Sequence, residues 1–508
     1  MQNKIIKSIG IFFALALLNS CGGGSDSGNQ ISNTVFRSEP VKISHPSQHI
    51  SQHIPSGCDA LALQDAIPVK LNGDKFQDFI VHYWCSVPES KWGTVVTEPT
   101  PDVLVAFISD NNGQYTSSNT KVFGESNPKL GGASRKFVRG DINGDGFDDF
   151  AFAMNWEDGR SGGPTPAIGL TVSTEPSVLL SGPNHSYSIH RLGQISWGHA
   201  VEMADNNLGT TDVIFAGFTN TNIQAFRYQQ NNWVDVTLEY PSLNQGAGHW
   251  ANTFRALPSE TPGTETTTIF GSYSDSTGTG GALFTKSNSV WNRSDEFILP
   301  VDFEIDYITY SNDLTTTHVM TLDGQQLVGG AIDESCIMIN FEAEASNIVV
   351  AKLSAEIYPL GQIIEGQTYN QSDNIPVIKM LFFEITGSSL VLQPSPIVNE
   401  EQQANADFYG CTDVNNDGYD DLVVRAFTSS FEGRDEGGLP VIYLNDHQGN
   451  LVNIDRSGFP KYTAEHDAQG FLFDINSDEL PDLVLFPSNI NQFSSNSDIH
   501  IHHAEMLL

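Results

Sequence analysis

Acidic and amide residues recur in three short segments with a spacing that suits a hard cation. Residues 141–149, 413–421 and 474–482 each read D-x-N-x-D, then Gly or Glu, then x-x-D, and each leads into an apolar run. When such a loop wraps around Ca²⁺, side-chain oxygens at positions 1, 3, 5 and 9 and the backbone carbonyl of position 7 point inward. The predicted ligands are Asp141, Asn143, Asp145, Phe147 and Asp149; Asp413, Asn415, Asp417, Tyr419 and Asp421; and Asp474, Asn476, Asp478, Leu480 and Asp482.

The motif differs from an EF-hand and from an ordinary turn. An EF-hand needs a bidentate Glu at position 12 and flanking helices. Phe152, Val424 and Leu485 occupy that position here, within apolar β-like runs. Plain Asp-Asn-Gly turns would not repeat a nine-residue pattern three times. Glu479 replaces the turn glycine of the third segment, so the sequence predicts weaker binding there.

Degenerate copies of the motif indicate a longer series of repeats. Residues 70–78 keep the frame but carry Lys70 at position 1, and its ammonium is expected to stand where the metal would, so no metal is predicted there. Residues 205–212 form a copy that is one residue short, and fainter traces begin at Arg255 and Tyr310. The spacing predicts seven units of four short strands, with an insertion around residues 333–371.

Composition and patterning predict an all-β class with a core of useful size. The chain of 508 residues is 39% hydrophobic, and its 24 Lys+Arg against 61 Asp+Glu give a formal net charge of −37. This charge excludes the basic footprint of a nucleic-acid-binding protein and favours cations as partners. Short β-like runs alternate with Gly, Asn, Asp and Ser turns, whereas long stretches of helical periodicity are almost absent.

Over residues 57–508 the chain resembles the FG-GAP/VCBS repeat family, the bacterial relatives of the integrin α-subunit head. The resemblance rests on the three D-x-N-x-D segments and is faint in the other four units. It implies a seven-bladed β-propeller of four-stranded blades, with Ca²⁺ in the loop between the innermost strand of a blade and the next strand. The alternating residues 499–502 are expected to form a strand that closes the ring.

The N-terminal residues indicate export and lipidation. Residues 1–20 combine Lys4 and Lys7 with an apolar run that is too short for a membrane anchor. The run ends Leu18-Asn19-Ser20 before Cys21, which resembles the lipobox of bacterial lipoproteins. This resemblance implies that residues 1–20 are a signal peptide and that Cys21 is lipidated. Residues 21–56 are then expected to be a flexible tether, and the protein to be anchored by lipid in the outer membrane, facing the periplasm or the cell surface.

The remaining four cysteines are expected to form two disulfides. An even number of cysteines in an exported chain permits such pairing. Three connectivities are open. Proximity in the sequence favours Cys58 with Cys85, which leaves Cys336 with Cys411.

Sequence motifs for catalysis are weak. Trp197-Gly198-His199 and Gly248-His249-Trp250 have similar composition, and equivalent positions in two blades would bring both imidazoles to one mouth of the channel. A backbone hydrogen bond is the more ordinary role for such histidines. The sequence therefore favours a binding module for a protein or a glycan over an enzyme. The alternative is a propeller-type polysaccharide lyase or hydrolase that uses His199 and His249, with Arg191 and Arg255 to neutralise an acidic substrate.

Overall fold

The computed structural model covers most of the chain beyond residue 59 and two short segments before it. It describes residues 34–36, 41–43, 60–86, 102–131, 133–155, 173–193, 195–196, 198–217, 223–241, 253–258, 264–275, 278–298, 305–312, 315–322, 325–339, 341, 347–358, 375–398, 406–415, 417–426, 440–454, 468–478, 481–487, 489–491, 499–502 and 504–506. No helix within these ranges is long and apolar enough to cross a membrane.

The strands before residue 300 form four antiparallel meanders, called blades A to D. Two short strands precede them, β1 (Thr34–Phe36) and β2 (Val41–Ile43). Blade A contains β3 (Ala60–Val69), β4 (Asp78–Ser86), β5 (Val103–Ser109) and β6 (Tyr115–Ser117). Blade B contains β7 (Ala133–Gly140), β8 (Asp149–Asn155), β10 (Ser177–Gly182) and β11 (Ser186–Arg191), and the short strands β9 (Ser173–Thr174) and β12 (Ile195–Ser196) pair beside it. Blade C contains β13 (Gly198–Asp205), β14 (Thr211–Gly217), β15 (Gln224–Gln229) and β16 (Asn232–Asp235). Blade D contains β17 (Phe254–Ala256), β18 (Thr268–Asp275), β19 (Gly278–Ser287) and β20 (Val290–Ile298).

The second half of the chain adds one larger sheet and two further blades. Sheet E has six strands, β21 (Ile305–Asn312), β22 (Thr315–Leu322), β23 (Gln325–Met338), β24 (Asn347–Tyr358), β25 (Ile375–Thr386) and β26 (Ser389–Gln393). Blade F contains β28 (Ala406–Thr412), β29 (Asp421–Ala426), β30 (Val441–Asn445) and β31 (Leu451–Asn453), with β27 (Ile397–Val398) added in parallel. Blade G contains β32 (Ala468–Phe473), β33 (Asp482–Pro487) and β35 (Ile499–His502), completed by β2. The last strands are β34 (Asn489–Asn491), which pairs with β3, and β36 (Ala504–Met506), which pairs with β1.

The described helical structure is limited to a five-residue α-helix and two 3-10 turns. These are α1 (Asn119–Phe123) and the turns Pro183–His185 and Thr237–Glu239. The chain is thus an all-β propeller with six blades that each contain four antiparallel strands, together with the larger sheet E. The all-β propeller predicted from the sequence is confirmed.

The blades pack face to face because their central strands are apolar on both sides. Successive residues of a strand point to opposite faces of its sheet. In β4, Phe79 and Val81 pack against blade G, while Ile80 packs against blade B. Similar cores join blades B and C, C and D, and F and G. The first strands also touch their neighbours, since β13 contacts both β7 and β17. The first strand of each blade is therefore the innermost.

The ring is closed by strands from both ends of the chain. β35 pairs with β33 on one side and with the N-terminal strand β2 on the other. The closing strand predicted over residues 499–502 is confirmed. β1 and β2 lie inside the segment predicted as a tether, residues 21–56, so these six residues belong to sheets. These strands were hard to predict, because Val41 and Ile43 are the only apolar pair that alternates in β2.

Sheet E is joined to its neighbours on both sides. Cys336 in β23 forms a disulfide with Cys411 in β28, with their Cα atoms 5.6 Å apart. This confirms the pairing expected from the sequence, while the proposed partners Cys58 and Cys85 fall outside the described side chains. On the other side, Thr253 Oγ1 lies 2.7 Å from Ser335 Oγ, and the Arg255 guanidinium donates to the Ser335 carbonyl at 2.6 Å.

Candidate cation-binding loops

Five loops between the first and second strands of blades share one feature, a fully buried aspartate at the end of the loop. They are called loop A (residues 70–78), loop B (141–149), loop C (205–212), loop F (413–421) and loop G (474–482). The aspartates are Asp78, Asp149, Asp212, Asp421 and Asp482, and each is 0% exposed. Burying a carboxylate is costly unless hydrogen bonds or an opposite charge compensate it. The partners of these five carboxylates therefore show how each loop is stabilised.

In four of the loops the buried carboxylate accepts backbone N–H groups. Asp149 shows the arrangement: one oxygen accepts the Ile142 N–H at 2.7 Å and the other accepts the Ser181 N–H, at the end of the third strand, at 2.6 Å. In the other three loops the backbone N–H of the second residue donates to the carboxylate in the same way. The distances are 2.6 Å from Leu71 to Asp78, 2.8 Å from Val414 to Asp421 and 3.1 Å from Ile475 to Asp482. Each aspartate thereby fixes its loop to the start of the second strand.

These hydrogen bonds do not fully offset the desolvation. Burial raises the pKa of Asp149 to about 6 and the pKa of Asp421 to about 7, although the backbone hydrogen bonds act in the opposite direction. A nearby cation would favour the charged form of both groups.

Positions 1, 3 and 5 of loop B hold their oxygens close together. The Asp145 N–H donates to Asp141 Oδ1 at 3.1 Å and to Asn143 Oδ1 at 2.9 Å, so one hydrogen places both oxygens on the same side of the loop. The Asn143 amide and the Ser181 hydroxyl donate to the Asp145 carboxylate. Every donor to these groups in the described chain is neutral. Loop B therefore carries three carboxylates with no internal cation among the described residues.

Loops F and G repeat this arrangement. In loop F the Asp417 N–H donates to Asp413 Oδ1 at 3.0 Å and to Asn415 Oδ1 at 3.3 Å. In loop G the corresponding N–H donates to Asp474 Oδ1 at 3.1 Å and to Asn476 Oδ1 at 2.9 Å. Loop F adds His447, whose Nε2 lies 2.7 Å from Asp417 Oδ2.

Position 6 of loops B and F needs a left-handed backbone. Gly146 has φ of +83° and Gly418 has φ of +91°, a region where side chains other than glycine are strained. The sequence argument for glycine at this position is confirmed in both loops.

Loop A contains a side-chain cation, Lys70, which binds two carbonyls of the same loop. The Lys70 ammonium donates to the carbonyl of Lys75 at 3.3 Å and to the carbonyl of Phe76 at 3.2 Å. Phe76 is at position 7, where the motif would offer its carbonyl to calcium. The Lys70 ammonium thus binds the carbonyl of position 7, which a metal would use in the other loops. This is where the lysine at position 1 led us to expect the ammonium.

Loop C also has a side-chain cation, Arg227, which pairs with the buried aspartate of the loop. The Arg227 guanidinium makes two hydrogen bonds to Asp212, at 2.8 Å from Nε and 2.6 Å from Nη2. The Tyr240 hydroxyl and the Asn206 amide each donate to the same carboxylate at 2.7 Å. Sequence reasoning missed this network because Arg227 lies in the third strand, outside the repeated motif.

The donor set of loops B and F fits a hard cation, with one difference from the sequence prediction. Among the residues described, no three His, Cys, Asp or Glu side chains converge as a ready metal site. The reason is visible in loop B, where the position 9 carboxylate faces backbone N–H groups. The oxygens left for a cation are those of two aspartates, one asparagine and a backbone carbonyl. The carboxylates of Asp149 and Asp421 mainly hold the loop in place through these backbone hydrogen bonds.

Several predicted site residues fall outside what the structure describes. These are Cys21, Leu480, His249 and the side chain of His199, which lies in β13. The arginines invoked for a lyase are separated: Arg191 lies on β11, the outermost strand of blade B, and Arg255 on β17, the innermost strand of blade D. Arg255 is also engaged, because its guanidinium pairs with Glu202 at 3.3 Å.

Loops A, B and G surround a cavity of about 520 Å³ where blades G, A and B meet. Lys70, Gln77, Arg139, Phe147, Asp148 and Asp474 contribute to its walls. Its lining combines both signs of charge with aromatic surface.

Comparison with known proteins gives only distant structural likeness. Neither the family models nor the curated protein sequences gave a match. The chain is similar to a Bacillus licheniformis rhamnogalacturonan lyase PL11 at 11% identity and a TM-score of 0.36, over 93% of this chain and 76% of that one. It is similar to a Lactobacillus plantarum protein at 8% identity and a TM-score of 0.22, over 60% of this chain and 94% of that one. It is also similar to a structure from a study of two prolyl endopeptidases at 9% identity and a TM-score of 0.25, over 87% of this chain and 56% of that one. Likeness at this level carries no argument about activity.

We predict that Arg227→Met destabilises the protein far more than a matched surface substitution. The substitution leaves the Asp212 carboxylate buried without its cation, which should cost about 3–5 kcal/mol. Arg191→Met is the control, since Arg191 and Glu175 form an exposed pair 3.8 Å apart, worth at most about 1 kcal/mol. The measurement is the midpoint of urea unfolding. Equal midpoints for the two variants would contradict the role given to Arg227.

Proposed function

We propose that this chain is a calcium-stabilised propeller of the FG-GAP/VCBS type that serves as a binding module for a protein or a glycan. The observation that carries the proposal is the equivalence of the acidic loops. Loops B, F and G occupy the same position in three separate blades, so the groups suited to a cation serve the fold three times over. A catalytic centre would be built once, from residues brought together from several blades.

Calcium is the cation that these loops suit best. Their ligands are carboxylate, amide and carbonyl oxygens, which hard cations prefer, and Mg²⁺ demands a stricter octahedral geometry and loses its water more reluctantly than Ca²⁺. Asp141, Asn143, Asp145 and the carbonyl of Phe147 would hold it in loop B, with the corresponding residues in loops F and G. Bound Ca²⁺ would supply the positive charge that Lys70 and Arg227 supply in loops A and C.

Counting sheet E as a blade gives the seven blades expected from the sequence. Its strand β23 contacts β17 and β28, the innermost strands on either side. Strands β23 to β26 would then be the four strands of the blade. The hairpin of β21 and β22 would be an addition on the inner side.

We further propose that the protein is exported and held in the outer membrane by lipid on Cys21. The support is the lipobox-like sequence before Cys21 and the Gly- and Ser-rich segment after it. Mass spectrometry of the mature N-terminus tests this, because a diacylglycerol-modified Cys21 is expected and an unmodified or internal Cys21 would overturn it.

A lyase remains the less supported reading. It requires His199 and His249 near one mouth of the channel, and the structure does not describe either side chain. It also requires cations near the substrate, and Arg255 is already paired with Glu202.

Calcium should raise the melting temperature of the protein and chelator should lower it. A ligand that binds only the folded state adds about 2.7 kcal/mol per site at a hundredfold excess over Kd. We expect the shift to shrink in Asp145→Ala and Asp417→Ala, and less in Asp478→Ala. Lys70→Ala and Asp110→Asn are controls that should keep the full shift, since neither belongs to a calcium loop. A metal-stripped protein whose melting ignores calcium would contradict the proposal.

The binding role predicts capture of a glycan or protein without turnover. The purified protein is to be screened on a panel of algal and plant polysaccharides, with binding measured in parallel with the absorbance of unsaturated products. We expect binding without product. Product formation that His199→Ala or His249→Ala abolishes would replace the binding module with the lyase.

A further inference from the structure

The described residues of loops A, B and G form a cavity that could hold a small ligand. At about 520 Å³ it falls within the size range of ligand sites, about 300–1,000 Å³. We call it the three-blade cavity. Phe147 and Asp474, two of the residues proposed to hold calcium in loops B and G, belong to its lining.

Hydrogen bonds join two walls of the three-blade cavity and hold part of the third. The Gln77 N–H donates to the Ile475 carbonyl at 2.9 Å, and the Ser477 hydroxyl donates to the Lys75 carbonyl at 2.7 Å, so loops A and G are joined directly. The Tyr187 hydroxyl holds the Asp148 carbonyl at 2.9 Å. A cavity with fixed walls loses little freedom when a ligand binds.

The charge of the three-blade cavity departs from that of the whole chain. The chain has 24 basic against 61 acidic residues. Lys70 and Arg139 nevertheless face this cavity, together with Asp148 and Asp474. Lys70 is engaged with loop carbonyls, whereas Arg139 makes no hydrogen bond or ion pair with any described residue. Its guanidinium is thus available to bind a carboxylate through two parallel hydrogen bonds.

The apolar part of the cavity is exposed aromatic surface. Phe147 is 44% exposed, although it occupies a position where the loop motif uses only the backbone carbonyl. The edge contact between its ring and His185, with centroids 4.8 Å apart, holds it in place. An exposed aromatic face next to an exposed carboxylate, Asp148, suits a ring that has both C–H faces and hydroxyl groups.

We propose that the three-blade cavity binds a uronate residue of an acidic glycan, an assignment that rests on the proposed binding function. Arg139 takes the uronate carboxylate, Phe147 packs against the C–H face of the sugar ring, and Asp148 accepts hydroxyl hydrogens. The combination of groups distinguishes this ligand from a simple anion, because only a sugar offers hydroxyl groups to Asp148 and a C–H face to Phe147.

The test compares two sugars that differ only in the carboxylate. Calorimetric titration of the full mature protein with methyl glucuronide and with methyl glucoside should give an affinity at least about tenfold higher for the glucuronide. Arg139→Met should abolish that difference in affinity, while Phe147→Ala should weaken the binding of both sugars to the same extent. Arg191→Met is the matched control and should change neither. Melting temperatures of all variants check that each is folded.

Each other outcome overturns the assignment. Equal affinity for the two sugars, or a preference that Arg139→Met leaves intact, removes the uronate site. Acetate binding as tightly as methyl glucuronide shows an anion site without sugar recognition. Capture of a glycan or protein on the wider panel that Arg139→Met and Phe147→Ala leave unchanged would overturn this site but keep the binding module. Absence of any ligand would overturn both.

Discussion

One buried aspartate per loop is the constraint on which the described blades A, B, C, F and G depend. The residue sits where the second strand begins, and its carboxylate is removed from water when neighbouring blades pack. A buried carboxylate that has lost its contact with water and finds no partner in the protein causes a large loss of stability. The backbone of the loop is therefore bent around it. In blades A, B and F the same carboxylate also reaches the third strand, through the N–H groups of Ser109, Ser181 and Asn445.

The loops differ in the source of their positive charge. Loops A and C carry their own cation, Lys70 or Arg227, on a side chain. Loops B, F and G keep the aspartates and asparagine of positions 1, 3 and 5, and the proposed calcium ion does the same work. A side-chain cation is permanent, whereas the binding of an ion depends on its concentration. The stability of one part of the ring would thus follow the calcium level, while blades A and C would be independent of it.

The sequence predicted the parts of the fold that repeat and missed those that do not. Short β-like runs between Gly, Asn, Asp and Ser turns indicated the strands, and the nine-residue spacing located the loops. The Arg227 network could not be foreseen, because pairing across a sheet depends on register, which no motif records. The strand β2 was missed for a similar reason, since its partner β35 lies more than 450 residues away in the sequence. The orientation of Asp149 toward backbone N–H groups was likewise invisible, because the motif gives the residue type without its direction.

We propose that loops B, F and G use an external ion where loops A and C use a side chain. A crystal of the protein grown with calcium, with anomalous diffraction used to locate the ions, tests this difference. We expect peaks beside Asp141, Asp413 and Asp474, with none beside Lys70 or Asp212. Absence of a peak from loops B and F, or a peak in loop A or C, would contradict it.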